Sequence, residues 1–364
     1  MQVWCSMINP NFKTLPHYLT FDDVLLLPAY SDITPLDVSL STELAKELSL
    51  NIPILSAPMD TLTESNMLIA LGKMGGLGVL HRNLSIADQV KQLKIALEAK
   101  VKVGVAVGFG ADFANRVETL AQLKPHVMCI DSAHGYTKNI METTKFIKQR
   151  YPAISLIAGN VATYEGAKAL FEAGADVVKV GMGSGSICTT RIVSGVGVPQ
   201  LSAIFECAKA AREYKRPIIA DGGIRNSGDI VKALAAGASA VMLGSLLAGT
   251  DESVGELVEY NNKSYKSYRG MGSVKSMIQG SAARYGQHYT VGEKQKLVPE
   301  GVEGLIPSRG PLKDWLYQIL GGIRSGCGYL GAANIKALQE KAQFVTITSA
   351  GVAESNPHTI IQNP

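Results

Sequence analysis

The residues best suited to chemistry lie in one short loop, Val180-Gly181-Met182-Gly183-Ser184-Gly185-Ser186-Ile187-Cys188-Thr189-Thr190-Arg191. An apolar run ends there in three alternating glycines, followed by a thiol flanked by hydroxyls. Glycines let the backbone approach a bound group closely. Such a loop can turn several carbonyls or amides toward one ion or oxyanion. Cys188 there can serve as a nucleophile. A free cysteine is also commonly a small buried hydrophobe, and the loop by itself leaves both readings open.

The elements that must hold this loop can be read from the apolar pattern. Runs at 52–59, 76–81, 101–108, 127–132, 155–161, 177–183, 217–224 and 240–249 each precede a small or polar turn and then a helical pattern. Their starts lie 22 to 28 residues apart, apart from one interval of 40, and one strand-plus-helix unit needs about this much chain. Strands so uniformly apolar suit a parallel sheet covered on both faces. An internal echo supports the unit. Ile157-Ala158-Gly159-Asn160-Val161 recurs in outline as Ile219-Ala220-Asp221-Gly222-Gly223, and each is followed by a helix ending in Gly-Ala (174–175 and 237–238). Eight such units predict an α/β TIM barrel, with a doubly wound sheet as the alternative.

In a TIM barrel the chemistry sits on loops at the C-terminal ends of the strands. That brings Ser56 to Asp60, Asp131 to Gly135, the cysteine loop, Asp221 to Gly223, and Gly244-Ser245 to one mouth. The last two loops occupy the usual phosphate position, where the amides of Gly222, Gly223, Gly244 and Ser245 can bind an anion. Asp221 is too acidic to face phosphate. It can accept from ribose hydroxyls, or it can cap its loop. After strand 8 the segment Tyr268-Arg269-Gly270-Met271-Gly272 leads into a polar stretch, residues 279–311, with no clear periodicity. Such an excursion is either an active-site lid or a disordered segment. A helical pattern returns at Leu312, and residues 343–364 read as an extended, polar tail.

Composition narrows the classes. The 364 residues are 46% hydrophobic with a formal net charge of +4, enough for a large core and without a basic cluster for nucleic acid. Five cysteines without a C-x-x-C pair suggest neither a disulfide framework nor a zinc site, and fit a reducing cytoplasm. The six histidines show no metal-binding spacing, and no Rossmann or Walker signature is present. Residues 1–12 lack the apolar core of a signal peptide. Residues 233–250 carry no charge, but their glycines read as a helix end and a buried strand rather than a membrane span.

The loop from Gly183 to Arg191, with Gly195-Val196-Gly197-Val198-Pro199-Gln200 after it, closely resembles the catalytic signature of the inosine-5′-monophosphate dehydrogenase family. Leu19 to Leu26, Ala57-Pro58-Met59-Asp60-Thr61, Ile219 to Ile224, Tyr268 to Gly272, and Val298-Pro299-Glu300-Gly301 with Gly304 extend that resemblance over nearly the whole chain. It implies a TIM barrel with a long active-site flap after strand 8 (about 260–311) and a C-terminal extension, all within one catalytic domain over 1–364. GMP reductase shares the Cys-Thr-Thr-Arg loop and is the alternative; Arg284-Tyr285 and Tyr268 to Gly272 favour the dehydrogenase.

The resemblance implies that Cys188 adds to the purine of inosine 5′-monophosphate, that NAD accepts hydride, and that a covalent thioimidate is then hydrolysed to xanthosine 5′-monophosphate. Arg284, assisted by Tyr285 and with Thr190 as second candidate, would activate the water. Ser56, Ser186, Asp221, Gly222, Gly223, Gly244, Ser245, Tyr268, Arg269, Gly270, Met271, Gly272 and Glu300 would hold the nucleotide. Asp131, Ser132, Ala133, Gly181, Met182, Gly183 and Tyr329 would hold NAD. A potassium ion would take carbonyls of Gly183, Gly185 and Cys188, with Glu354, Ser355 and Asn356 from a neighbouring subunit of a homotetramer. No nucleic acid or membrane partner is implied. Two positions depart from the family pattern: Asn356 stands where His is common, and Gly286 where an aromatic residue is common. The paired regulatory (CBS) module usual between barrel units 2 and 3 is absent near 98–101, where Leu97-Glu98-Ala99-Lys100 leads straight into Val101.

Overall fold

A computed structural model describes residues 15–110 and 112–357. The reading of residues 1–12, Cys5, and the end of the tail lie outside the described residues. The eight apolar runs form eight strands: β1 (Ile54–Ser56), β2 (Leu77–Leu80), β3 (Val103–Val107), β4 (Val127–Ile130), β5 (Ser155–Val161), β6 (Val177–Val180), β7 (Ile218–Asp221) and β8 (Ala240–Leu243). Every neighbouring pair is parallel, and β8 pairs with β1 to close the barrel. The strands are buried along both faces, which is why they read as apolar runs rather than as alternation.

Each strand is followed by a covering helix, among them Ile86–Glu98, Lys138–Arg150, Tyr164–Glu172 and Ser227–Ala235. Their starts are fixed by side-chain caps: Ser85, Thr137, Thr163 and Asn226 each accept from a backbone N–H in the first turn. The helix Ile86–Glu98 passes into β3 through a turn of four residues. The uncharged stretch 233–250 resolves into a helix end, β8 and the short helix Ser245–Ala248. Among the described residues, no helix is long and apolar enough to cross a membrane.

Two segments differ from the sequence reading. The stretch 279–311 contains the 3-10 turns Ser281–Tyr285 and Lys294–Lys296 and then a strand, Glu303–Pro307. That strand joins Lys263–Arg269 and Leu257–Tyr260 in a three-stranded antiparallel sheet that forms the stem of the flap. Beyond the stem, Met277, Ala282 and Leu297 form an apolar cluster of their own, packed by Tyr285 and Tyr289 and separate from the barrel core. The tail is not simply extended. Phe344–Thr346 pairs antiparallel with Val24–Leu26, and a helix, Ser349–Glu354, follows.

Candidate active site

The cysteine loop leaves β6 at Gly181, whose φ is +146°. A Cβ there would lie 2.0 Å from the carbonyl oxygen of Asp221, so the loop can turn beside β7 only with glycine. The loop is then pinned to the base of the flap. The amide of Cys188 donates to the Gly185 carbonyl at 3.1 Å, that of Thr189 to Glu300 at 2.9 Å, and that of Val302 to Ile187 at 3.0 Å. Cys188 is half-buried, and its Sγ lies 3.1 Å from Thr190 Oγ1. Cys129, Cys207 and Cys327 are fully buried, and burial pushes their thiols up, Cys129 to about 12 and Cys327 to about 11. The loop reading left Cys188 between nucleophile and core filler; its place on the cleft wall favours the first.

A cleft of about 980 Å³ opens at the C-terminal ends of the strands. Cys188 and Thr190 line it, and so do Arg284 and Tyr285 from the turn Ser281–Tyr285. Arg284 forms an ion pair with Asp131 at the end of β4, and its carbonyl accepts from the Ala133 amide at 3.3 Å. The Asp131 side chain is 1% exposed and that of Arg284 15%. Burial alone would raise Asp131, but the charges of Arg284, Lys179 and Arg82 hold it below the usual carboxylate range. Burial likewise opposes the charge on Arg284, and Asp131 more than offsets it, leaving the guanidinium firmly protonated. Burial pushes the Tyr285 phenol up to about 12. Gly272 is crowded on both sides: a Cβ there would stand 2.9 Å from the Glu300 backbone and 2.9 Å from the Tyr285 ring.

Asp221 lies where β7 meets the cleft. Its Oδ2 accepts from Lys179 Nζ at 2.8 Å and from Asn160 Nδ2 at 2.9 Å. Lys179 is fully buried in β6, with its ammonium also bonded to Asn160 Oδ1. Gln200 braces the same corner, donating to the Val180 carbonyl at 2.9 Å and accepting from Ser184 Oγ at 3.1 Å. The sequence reading missed Lys179, Asn160 and Gln200 as site residues. The available signal was one charge inside the apolar run Val177-Val178-Lys179-Val180. A half-buried carboxylate fixed by two donors keeps a free edge for hydroxyl donors.

Most expected residues come together. Met182, Gly183, Gly185, Ser186, Gly222, Gly223, Gly244, Ser245, Tyr268, Gly270, Met271, Gly272, Glu300, Ala133 and Gly181 line the cleft with those above. Tyr268 Oη donates to Met59 Sδ at 3.4 Å. Others do not line it. Ser56 is buried beneath, accepting from Thr63 Oγ1 at 3.0 Å, and Ser132 donates from Oγ to the Gly159 carbonyl at 2.6 Å. Arg269 sends its guanidinium to Asp60 behind the wall. Asp131 stands behind Arg284. Tyr329 is 71% exposed and does not line the cleft of its own chain. Glu354, Ser355 and Asn356 are exposed at the end of the helix Ser349–Glu354 and do not line the cleft either.

Among the described residues, no group of three His, Cys, Asp or Glu side chains is placed to hold a metal. The carbonyls of Gly183, Gly185 and Cys188 are hard oxygen donors within one loop and suit a monovalent cation, although Gly185 already accepts from the Cys188 amide. The Asp131 carboxylate, held behind Arg284 here, is acceptor-only and suits the vicinal hydroxyls of a ribose once Arg284 leaves it.

The fold and site therefore define a class: a TIM barrel whose strand-6 loop brings a cysteine to the cleft also lined by an arginine and a tyrosine from the excursion after strand 8. Residues 18–358 match the family described as IMP dehydrogenase / GMP reductase domain. The inosine-5′-monophosphate dehydrogenase of Aquifex aeolicus is 43% identical, covering 96% of this chain and 96% of its own. That of Borreliella burgdorferi is 45% identical, covering 96% and 99%, and that of Bacillus subtilis 40%, covering 94% and 96%. The chain belongs to the IMP dehydrogenase / GMP reductase family.

Proposed function

We propose that this chain oxidises inosine 5′-monophosphate to xanthosine 5′-monophosphate through a covalent bond to Cys188. The observation carrying this reading is that Cys188, Arg284 and Tyr285 line one cleft together with Gly222, Gly223, Gly244, Ser245 and Glu300. The glycine amides and Ser245 bind the phosphate, Asp221 takes the ribose hydroxyls, and Glu300 addresses the purine edge. Cys188, as thiolate, forms an S–C2 bond with the purine, with Thr190 Oγ1 beside the sulfur.

Asp131 and the Gly181–Gly183 backbone would hold NAD, which would supply the acceptor for the hydride leaving C2. The purine then remains as a thioimidate on Cys188. Water adds to C2, the C2–S bond breaks, the thiol recovers a proton, and the product leaves. The Arg284-Tyr285 segment manages that water. Asp131 has two partners that exclude each other. Holding Arg284, as here, it is closed to the cofactor's ribose. Cofactor departure and flap docking are thereby coupled, and bulk water is kept from the adduct until the flap is in place.

Carbonyls of Gly183, Gly185 and Cys188 would hold potassium, with Glu354, Ser355 and Asn356 of a neighbouring subunit in a homotetramer completing the site. The catalytic unit is the single barrel domain, without the paired regulatory module. The test is near-ultraviolet absorbance with inosine 5′-monophosphate and NAD, in potassium and then in sodium. NADH that depends on potassium is expected. NADH indifferent to potassium would discard the ion site. No NADH, with NADPH oxidised by guanosine 5′-monophosphate, would replace the reaction by the reductase.

A further inference from the structure

One buried carboxylate ties the root of the flap to the barrel. Asp60 follows β1, and its side chain is 3% exposed. Its Oδ1 accepts from Arg269 Nε at 3.1 Å and its Oδ2 from Arg269 Nη2 at 2.9 Å. The same Oδ2 accepts from Asn83 Nδ2 at 2.9 Å and from Ser276 Oγ at 3.0 Å. Asn83, in the turn after β2, also donates to the carbonyl of Ser276 at 3.1 Å. Ser281 Oγ stands 3.1 Å from Ser276 Oγ and donates to the Met271 carbonyl. Ser276 and Ser281 are fully buried. Two barrel residues, Asp60 and Asn83, thus hold the flap from Arg269 to Ser281. Ser281 opens the turn that delivers Arg284 and Tyr285.

A bidentate guanidinium–carboxylate pair fixes direction as well as distance. Beyond this node the flap has its own apolar cluster, Met277, Ala282 and Leu297. The arrangement is a body with a private core, hinged on a rigid polar node. We propose that Asp60 is a positioning residue: it fixes the pivot about which Arg284 and Tyr285 reach Cys188, with Arg269 as the strut rather than a nucleotide ligand. The proposal rests on the reaction proposed above, because the step it governs is the release of the adduct.

The test uses the full chain and Asp60→Asn, which keeps the shape and removes the charge. In hydrogen exchange, amides of 272–301 become about tenfold faster while those of β1–β8 keep their rates. In rapid mixing with inosine 5′-monophosphate and NAD, the first-turnover burst of NADH stays within about twofold, and steady-state kcat falls about tenfold. Asn83→Ala, which removes one arm, gives the same split with smaller amplitude. A merely structural role predicts that burst and turnover fall together. That result, or unchanged exchange at 272–301, overturns the proposal. If Asp60→Asn does not fold, Asn83→Ala and Ser276→Ala decide it by the same criteria. A wild-type chain that makes no NADH would sink the reaction instead, and exchange would still decide the pivot.

Discussion

At the scale of single residues, the account rests on one thiol. Cys188→Ser should lower turnover by at least about a thousandfold, because the alcohol is not ionised beside Thr190, while nucleotide binding measured by calorimetry persists. Comparable turnover would contradict covalent catalysis. Lys179 makes a different prediction. It is buried against Asp221 and Asn160, and Lys179→Met leaves the carboxylate without its counter-charge, so stability should fall on the order of 3 kcal/mol in denaturant unfolding. The Asp131–Arg284 pair sets a pH window. Asp131 is lowered in the folded state, so its contribution is present above the ordinary carboxylate value of 3.8 and is lost as pH falls through the lower folded value. Flap protection in hydrogen exchange should therefore be level from pH 5 to 8 in order-of-magnitude terms and weaken only in strong acid. Weakening near neutrality would contradict the pairing.

The residue types suited to chemistry were legible because the loop concentrates them. The residues that brace them were not. Asn160 and Lys179 sit inside apolar runs, where a lone polar residue is invisible to periodicity. Only the barrel brings β5, β6 and β7 side by side so that these two meet Asp221.

At the scale of elements, all eight barrel strands were readable from their apolar runs, since burial on both faces removes the alternation that would mask them. The flap was not. Its stem pairs strands far apart in sequence, Lys263–Arg269 with Glu303–Pro307, and such pairing leaves no local pattern. One missed signal was local: Asn261 and Asn262 both have positive φ between the paired Tyr260 and Lys263, the two-residue hairpin that asparagines favour. The tail's helix, Ser349–Glu354, is short and exposed, so no apolar stripe announced it. The close passage of Tyr285 over Gly272 gives the prediction for this scale. Gly272→Ala should press on the Glu300 backbone and displace the ring, slowing steady-state turnover about tenfold and more than the first-turnover burst. Equal loss of both phases would mean that Gly272 serves the nucleotide rather than the flap.

At the scale of the whole molecule, the alignment with the Aquifex aeolicus relative runs over 477 positions, well beyond the 364 residues of this chain. The relative therefore has residues without a counterpart here. Under the proposed function the barrel holds every catalytic group, so adenine and guanine nucleotides should act only as competitors at the cleft and leave the substrate saturation curve hyperbolic. Sigmoidal curves induced by them would contradict a chain without the regulatory module.

The most direct test of the account is acid quenching of Arg284→Ala during turnover with inosine 5′-monophosphate and NAD, followed by mass spectrometry. Hydride transfer should proceed and release of the adduct should stall, so one nucleotide should be found on the peptide containing Cys188. NADH formed with no adduct, or an adduct on Cys129, Cys207 or Cys327, would contradict it.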